Sequence, residues 1–206
     1  RFKGKASGNY MNAIENKAQF DMAPEADCDA IGSVFYLTEN KKLMSYKLGT
    51  YLYDTYSIGN MGEDNGNAIS FNPSESGNAG YFTLKTDYSG SKYIYDGETI
   101  VNRNGSYAAN NCEWFIEEVT SLPVTISAAG YTTLYAPVAL EIDANVEAYV
   151  VSEIQSSSVL LEQVTGVVPA ETGLIIKGNQ GEYSFSIGGE ATAEITTNEL
   201  KGTVAK

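Results

Sequence analysis

The sequence predicts an all-β chain, and three observations carry that prediction. Over 206 residues, no stretch of ten or more places apolar side chains at the i, i+3, i+4, i+7 spacing of an amphipathic helix. Short β-branched or aromatic runs alternate with polar residues instead, bounded by Gly, Asn and Asp, as half-buried strands and their turns are. A tyrosine-centred phrase also returns at nearly constant spacing through the first part of the chain.

Taken in order, Arg1-Phe2-Lys3-Gly4-Lys5 reads as a first strand and leads into Gly8-Asn9-Tyr10-Met11. Leu43-Met44-Ser45-Tyr46-Lys47 leads in the same way into Gly49-Thr50-Tyr51-Leu52, and Phe82-Thr83-Leu84-Lys85 into Ser91-Lys92-Tyr93-Ile94. The three tyrosines stand 41 and 42 residues apart. A variable loop and a closing aromatic strand follow each copy, the closing strands being expected at Phe35-Tyr36-Leu37, Phe82-Thr83-Leu84 and Trp114-Phe115-Ile116. A unit of this size has too few strands to bury both of its faces. Three are therefore expected to share one core in a threefold arrangement.

Turn chemistry separates these strands. Asn65-Gly66, within Gly62-Glu63-Asp64-Asn65-Gly66-Asn67, is a tight-turn pair and reads as a hairpin tip. The segment lacks the alternating ligands and terminal Glu of an EF-hand, so no calcium site is expected. Asn104-Gly105-Ser106 fits a glycosylation acceptor by spacing but reads more simply as another turn.

Composition removes most catalytic plans. The chain has no His, so no imidazole can serve as base or metal ligand, and two cysteines cannot make a four-thiolate zinc site. No metal or cofactor is expected. A net charge of −13 argues against nucleic acid or an anionic membrane surface as partner. No apolar run reaches the ~18 to 20 residues of a membrane helix, so membrane insertion is not expected. Cys28 and Cys112 would be bridged in an exported chain or remain two thiols in a reducing one; small apolar core residues are the favoured reading. The chain begins at Arg1 without a leader, and is expected to be a piece of something longer.

Composition also shifts near residue 120. Eleven of the fifteen tyrosines and ten of the thirteen basic residues lie before it. Sixteen acids precede it and ten follow, so neither part is a polyacidic tail. Glu118-Val119-Thr120-Ser121-Leu122-Pro123 reads as a short connector, because Pro123 holds Leu122 extended. Two domains are expected, 1–119 and 122–206, in contact rather than on a flexible tether.

The threefold pattern of residues 1–119 resembles a β-trefoil of the ricin-type lectin kind. In that family each closing strand carries Gln, any residue, then Trp; the corresponding Gln positions here are Ser33, Gly80 and Cys112, and the third repeat alone keeps its Trp, as Trp114. The resemblance implies sugar contacts just after each opening aromatic-aliphatic pair. Those positions are Asn12, Tyr53 and Tyr95, with Asp54 and Asp96 next in line. A sugar stacks its C–H face on an aromatic ring while a carboxylate or amide takes its hydroxyls. The duplicated Tyr-x-Tyr-Asp (Tyr51 to Asp54, Tyr93 to Asp96) supplies both elements. Read without the resemblance, the same tyrosines alternate between core and surface, and the aspartates begin turns.

Beyond the connector come Pro123-Val124-Thr125-Ile126-Ser127, Gly130-Tyr131-Thr132-Thr133-Leu134-Tyr135-Ala136-Pro137-Val138, Leu140-Glu141-Ile142 and Val146-Glu147-Ala148-Tyr149. Val168-Pro169-Ala170-Glu171-Thr172-Gly173-Leu174-Ile175-Ile176-Lys177-Gly178 and Tyr183-Ser184-Phe185-Ser186-Ile187 complete the series. Thr, Ser and Glu alternate with Val, Ile, Leu and Tyr, as in a sheet with one wet face. This succession resembles a C-terminal β-module common in secreted proteins of gut-dwelling Gram-negative bacteria, often appended to glycoside hydrolases, peptidases or adhesins. It implies a β-sandwich-like appendage without catalytic residues. It also implies further strands beyond Asn198-Glu199-Leu200-Lys201-Gly202-Thr203, so the module is expected to continue past this chain.

The function expected from these readings is a non-catalytic accessory region of a larger secreted or cell-surface bacterial protein, with a glycan as ligand. The alternative is a structural module packing on a catalytic domain (glycoside hydrolase or peptidase) of the parent. A two-carboxylate glycosidase is the third reading and the least favoured, since no acid has a context that would raise its pKa.

Overall fold

The computed structural model describes residues 1–15, 20–28, 31–54, 59–62, 71–86, 92–97, 101–104 and 111–202, with the side chains of 53, 54, 59–62, 71, 72, 86, 92 and 101–104 outside the description. The chain is all-β and antiparallel. It divides into two compact units, one spanning Arg1–Glu118 and the other beginning at Val119. Among the described residues no helix is long and apolar enough to cross a membrane.

The described strands of the first unit fall into three successive groups of four. The first group is β1 (Phe2–Gly4), β2 (Tyr10–Asn12), β3 (Asp21–Ala23) and β4 (Phe35–Leu37). The second is β5 (Leu43–Ser45), β6 (Tyr51–Asp54), β7 (Gly59–Gly62) and β8 (Phe71–Glu75). The third is β9 (Phe82–Thr86), β10 (Lys92–Asp96), β11 (Val101–Asn104) and β12 (Glu113–Ile116). In every group the first strand pairs with the second and the second with the third. The fourth then pairs with the first strand of the next group: β4 with β5, β8 with β9, and β12 back onto β1. That last pairing brings the ends of the unit together.

The repetition extends to individual atoms. Gly4 N donates to Asn9 O and Gly8 N to Gly4 O, at 2.8 and 2.9 Å; 41 residues later Ser45 N donates to Thr50 O and Gly49 N to Ser45 O, at the same distances. Gly8 and Gly49 both sit at positive φ, 74° and 62°, where a Cβ would be strained. Phe2, Leu43 and Leu84 open the groups and are buried; Met11, Leu52 and Ile94, one residue after each tyrosine, are fully buried. All six belong to one core with Phe20, Met22 and Trp114. Each such side chain contributes about 1.5–3 kcal/mol on leaving water. Each tyrosine therefore precedes a fully buried aliphatic residue; Tyr10 is buried as well, while Tyr51 and Tyr93 are half-buried.

One expectation is corrected here. Phe82-Thr83-Leu84 closes no repeat: it lies in β9, which opens the third group by pairing with β10, while β8 closes the second. Gly80 accordingly lies in the turn before β9, at φ 80°, and occupies no closing-strand position. The β8 sequence Phe71-Asn72-Pro73-Ser74-Glu75 hid its strand character because Pro73 demotes a run on propensity. Of the cysteines, Cys112 is buried in the first unit, and the half-buried Cys28 directs its sulfur at Ala23 O, 3.6 Å away.

Among the described residues the second unit holds eight strands: β13 (Ser121–Ile126), β14 (Tyr131–Tyr135), β15 (Leu140–Glu141), β16 (Glu147–Ile154), β17 (Val159–Val164), β18 (Val167–Val168), β19 (Gly173–Lys177) and β20 (Gly181–Ile187). They pair first with last inward: β13 with β20, β14 with β19, β15 with β18, β16 with β17. The resulting sheets are β13-β20-β15-β18 and β14-β19-β16-β17. This nesting is the double Greek key of a jelly roll. Strict alternation in β13 buries Leu122, Val124 and Ile126 and exposes Pro123 and Thr125. Leu134 and Leu174 of one sheet line the same narrow interior space as Leu140 and Val168 of the other.

From residue 188 to 202 the chain has no strand structure; it bonds to Val167 of β18 at Thr192 and Ala193 and then reaches β16 and β19 at Asn198. Asn198 fastens it. Its Oδ1 accepts from Val151 N at 3.3 Å and its Nδ2 donates to Gly173 O at 2.9 Å, while Glu199 N donates to Val151 O at 2.7 Å. The side-chain amide thus stands in for a peptide group between β16 and β19, next to the register shift at Val151/Glu153. Asn198→Ala leaves that N–H and that carbonyl unpaired. We expect a loss of about 1–3 kcal/mol, read as a lower urea midpoint, with Asn198→Asp restoring only the acceptor side.

Candidate functional site

The strand alternation decides where the proposed contact residues point. On β10, Tyr93 and Tyr95 are half-buried, whereas Ile94 and Asp96 are fully buried. Asp96 therefore shares the inward parity of the core residue Ile94. Its Oδ2 accepts from Ser7 N at 2.9 Å and from Ser7 Oγ at 2.6 Å, and its own N–H donates to Asn111 O at 2.8 Å. Asp96 is thus a strut between the β1–β2 turn and β10, corrected from ligand contact. Gly4 makes room for it: a Cβ at Gly4 would overlap the carboxylate, with Asp96 Cγ only 2.6 Å away.

Asn12 is likewise buried, paired in register with Asp21. Its Oδ1 has no hydrogen-bond partner among the described residues. An accessible sugar contact is not what Asn12 offers. Tyr95 keeps part of its ring exposed opposite Asn102. Tyr53 and Asp54 lie on β6, opposite Asn60 and Gly59, but their side chains are outside the described residues, as are the 63–67 loop and the turn at 105–106. β2 and β10 are not neighbours in their sheet, since β9, β12 and β1 stand between them. The described members of the expected set therefore do not gather into one surface.

A different group does gather. Lys3 of β1 and the flanking Arg1 and Lys5 stand at alternate positions, the outward parity of a strand whose Phe2 and Gly4 face inward. Each cation lies over an aromatic ring: Arg1 Cζ 4.1 Å and Lys3 Nζ 5.2 Å from the Tyr10 centroid, Lys5 Nζ 4.9 Å from that of Tyr81. Tyr81 meets Phe115 edge to face at 6.5 Å, and Phe115 stands opposite Lys3 in the β1·β12 register with 44% of its surface exposed. Glu113, buried, forms an ion pair with Lys5 and accepts from Asn78 Nδ2 at 2.7 Å. Asn78 in turn is held by the β8–β9 turn, where Tyr81 N donates to its carbonyl and its own N–H donates to Ser76 Oγ.

These residues form an aromatic pair, Tyr81 and Phe115, edged by an ammonium and an amide whose positions a buried carboxylate fixes. Such a surface can stack a ring and donate hydrogen bonds to hydroxyls. The alternating basic residues at Arg1, Lys3 and Lys5 were the signal in sequence; their aromatic partners come from β2 and the β8–β9 turn, and only the fold unites them. Glu25 and Glu117 pair with Arg1 through contacts of 3.1 and 3.5 Å. Among the described residues no group of three metal-capable side chains occurs. No protein-family model matches the chain, and neither does any curated protein.

Proposed function

We propose that the chain is a non-catalytic accessory region of a larger secreted or surface bacterial protein and that its first unit is a β-trefoil of ricin-type lectin ancestry which binds glycan. The observation that carries the reading is the four-strand group recurring three times, each joined to the next by the same fourth-to-first pairing and the last joined back to the first. The ligand surface is Tyr81 and Phe115 with Lys5 and Asn78 at its edge. A site of two rings and two polar groups is small, so single-site affinity is weak and gains from multivalency.

Native gels containing soluble β-glucan, xylan, galactomannan or amylopectin test this with the whole chain. At least one polysaccharide retards the protein, and Tyr81→Ala with Phe115→Ala together lowers the affinity about tenfold, the equivalent of roughly 1.4 kcal/mol. Retardation that ignores both substitutions removes the surface, and none on any polysaccharide removes the reading.

A second reading, a structural module packing on a catalytic domain of the same parent, is favoured by one observation. Ile154, Val159, Leu160 and Leu161, on the β16–β17 hairpin, are exposed, and β17 is a sheet edge. Exposed apolar edges of this kind mark protein contacts.

A further inference from the structure

We infer that the second unit carries a saccharide site of its own, on the outer face of the β14-β19-β16-β17 sheet, built from Tyr131, Lys177, Glu147, Asn145 and Asn179 and fitted to a neutral hydroxyl-rich chain. The register brings the first three into one row. Tyr131 pairs with Lys177 across β14·β19, and Lys177 with Glu147 across β19·β16. Tyr131, Glu147 and Lys177 therefore share a face, while Ala148 and Ile176, one step along, are buried. The neighbouring turns supply Asn145 and Asn179, and together they enclose an open depression of about 310 Å³, at the small end of ligand sites.

Each element has a capability that folding does not use. Tyr131 is 51% exposed, a large aromatic side chain in water at the head of the row. Lys177 Nζ donates to Glu147 Oε2 at 2.8 Å, and Tyr149 Oη donates to the same oxygen at 2.6 Å. That leaves Glu147 Oε1 and two ammonium hydrogens without a partner among the described residues. The ion pair is exposed, and such pairs add little to stability. The Lys177 and Tyr149 hydrogen bonds hold the Glu147 carboxyl below its usual range, and Glu147 raises Lys177 in return. Both are charged at neutral pH and together carry no net charge. Asn145 is locked by Asp143, whose Oδ1 accepts from its N–H and its Nδ2, both at 2.8 Å. Its carbonyl oxygen is left over, and so is the Asn179 side-chain amide.

A ring to stack on, a fixed acceptor, a fixed donor and two amides are what recognition of adjacent hydroxyls requires. The balanced ion pair, with Asp143 beside it, disfavours an anionic ligand. The site thus points to neutral polysaccharide rather than to uronate or sulfated chains. It stands in the second unit on residues unrelated to the Tyr81–Phe115 surface, so the two are separable.

The experiment uses the whole chain on native gels with β-glucan, xylan, galactomannan and amylopectin, and polygalacturonate as the anionic comparison. Retardation by one or more neutral polymers is expected, none by polygalacturonate. Tyr131→Ala is expected to lower the affinity about tenfold and Glu147→Gln several-fold, both with an unchanged unfolding midpoint. Tyr81→Ala with Phe115→Ala leaves this component intact. Binding unchanged in Tyr131→Ala and Glu147→Gln, retardation by polygalacturonate alone, or no retardation at all overturns the site. Loss with Tyr131→Ala but not with the Tyr81–Phe115 variant retains it while removing the first-unit surface, and the converse retains only the latter.

Discussion

Trp114→Ala is expected to lower the stability of the first unit by about 3–5 kcal/mol, the range for emptying a fully buried large aromatic. Trp114 is fully buried in the core that all three strand groups share. Its Nε1 donates to Ile94 O at 2.9 Å, so truncation also leaves a buried carbonyl of β10 unpaired. A loss of this size approaches the whole stability of a small domain. Urea unfolding followed by far-ultraviolet circular dichroism should show the first unit unfolded or with its midpoint moved sharply down. Trp114→Phe should recover the packing but not the hydrogen bond. A loss below 1 kcal/mol for Trp114→Ala would mean that the groups do not share this core.

Gly4→Ala is the second large effect. The added Cβ overlaps a carboxylate that Ser7 holds from two sides. β1 cannot yield, because both of its neighbours, β2 and β12, pair with it. Overpacking of this kind costs about 1–3 kcal/mol, and here it also displaces a buried charge from its partners. The contact is isolated by a cycle. Asp96→Ala alone is destabilising, since it orphans the Ser7 N–H, yet the added methyl should cost far less in the Asp96→Ala background. A coupling near zero between the two substitutions would show that Gly4 and Asp96 do not touch.

These two residues also show what the sequence could disclose. Trp114 was visible as a closing-strand aromatic, and the row Met11/Leu52/Ile94 follows from the 41- and 42-residue spacing of the tyrosines, with Phe2/Leu43/Leu84 at 41 and 41. Asp96 was legible too, by parity: two positions from Ile94 on one strand, it must share Ile94's face. Chemistry suggested a ligand contact where the strand period dictated a strut. Phe82-Thr83-Leu84 had been expected to close one repeat and open the next, and the weak strand signal of β8 around Pro73 is the reason. In the second unit, alternation was enough for strands and two wet sheets but not for their order. Tyr131, Glu147 and Lys177 are far apart in sequence and meet only because β19 lies between β14 and β16. No local pattern encodes that neighbourhood. The Asn198 anchor was hidden for the same reason, since its partners Val151 and Gly173 belong to distant strands.

The account rests on three strand groups closing into one body, and solution NMR of the whole chain tests this through three cross-strand contacts. Backbone proton contacts are predicted between Tyr36 and Met44, between Pro73 and Leu84, and between Lys3 and Phe115, one for each junction. The third decides, because it joins the first strand to the last. Finding the first two without any contact between Lys3 and Phe115 would contradict the closed threefold arrangement and the ligand surface built across it.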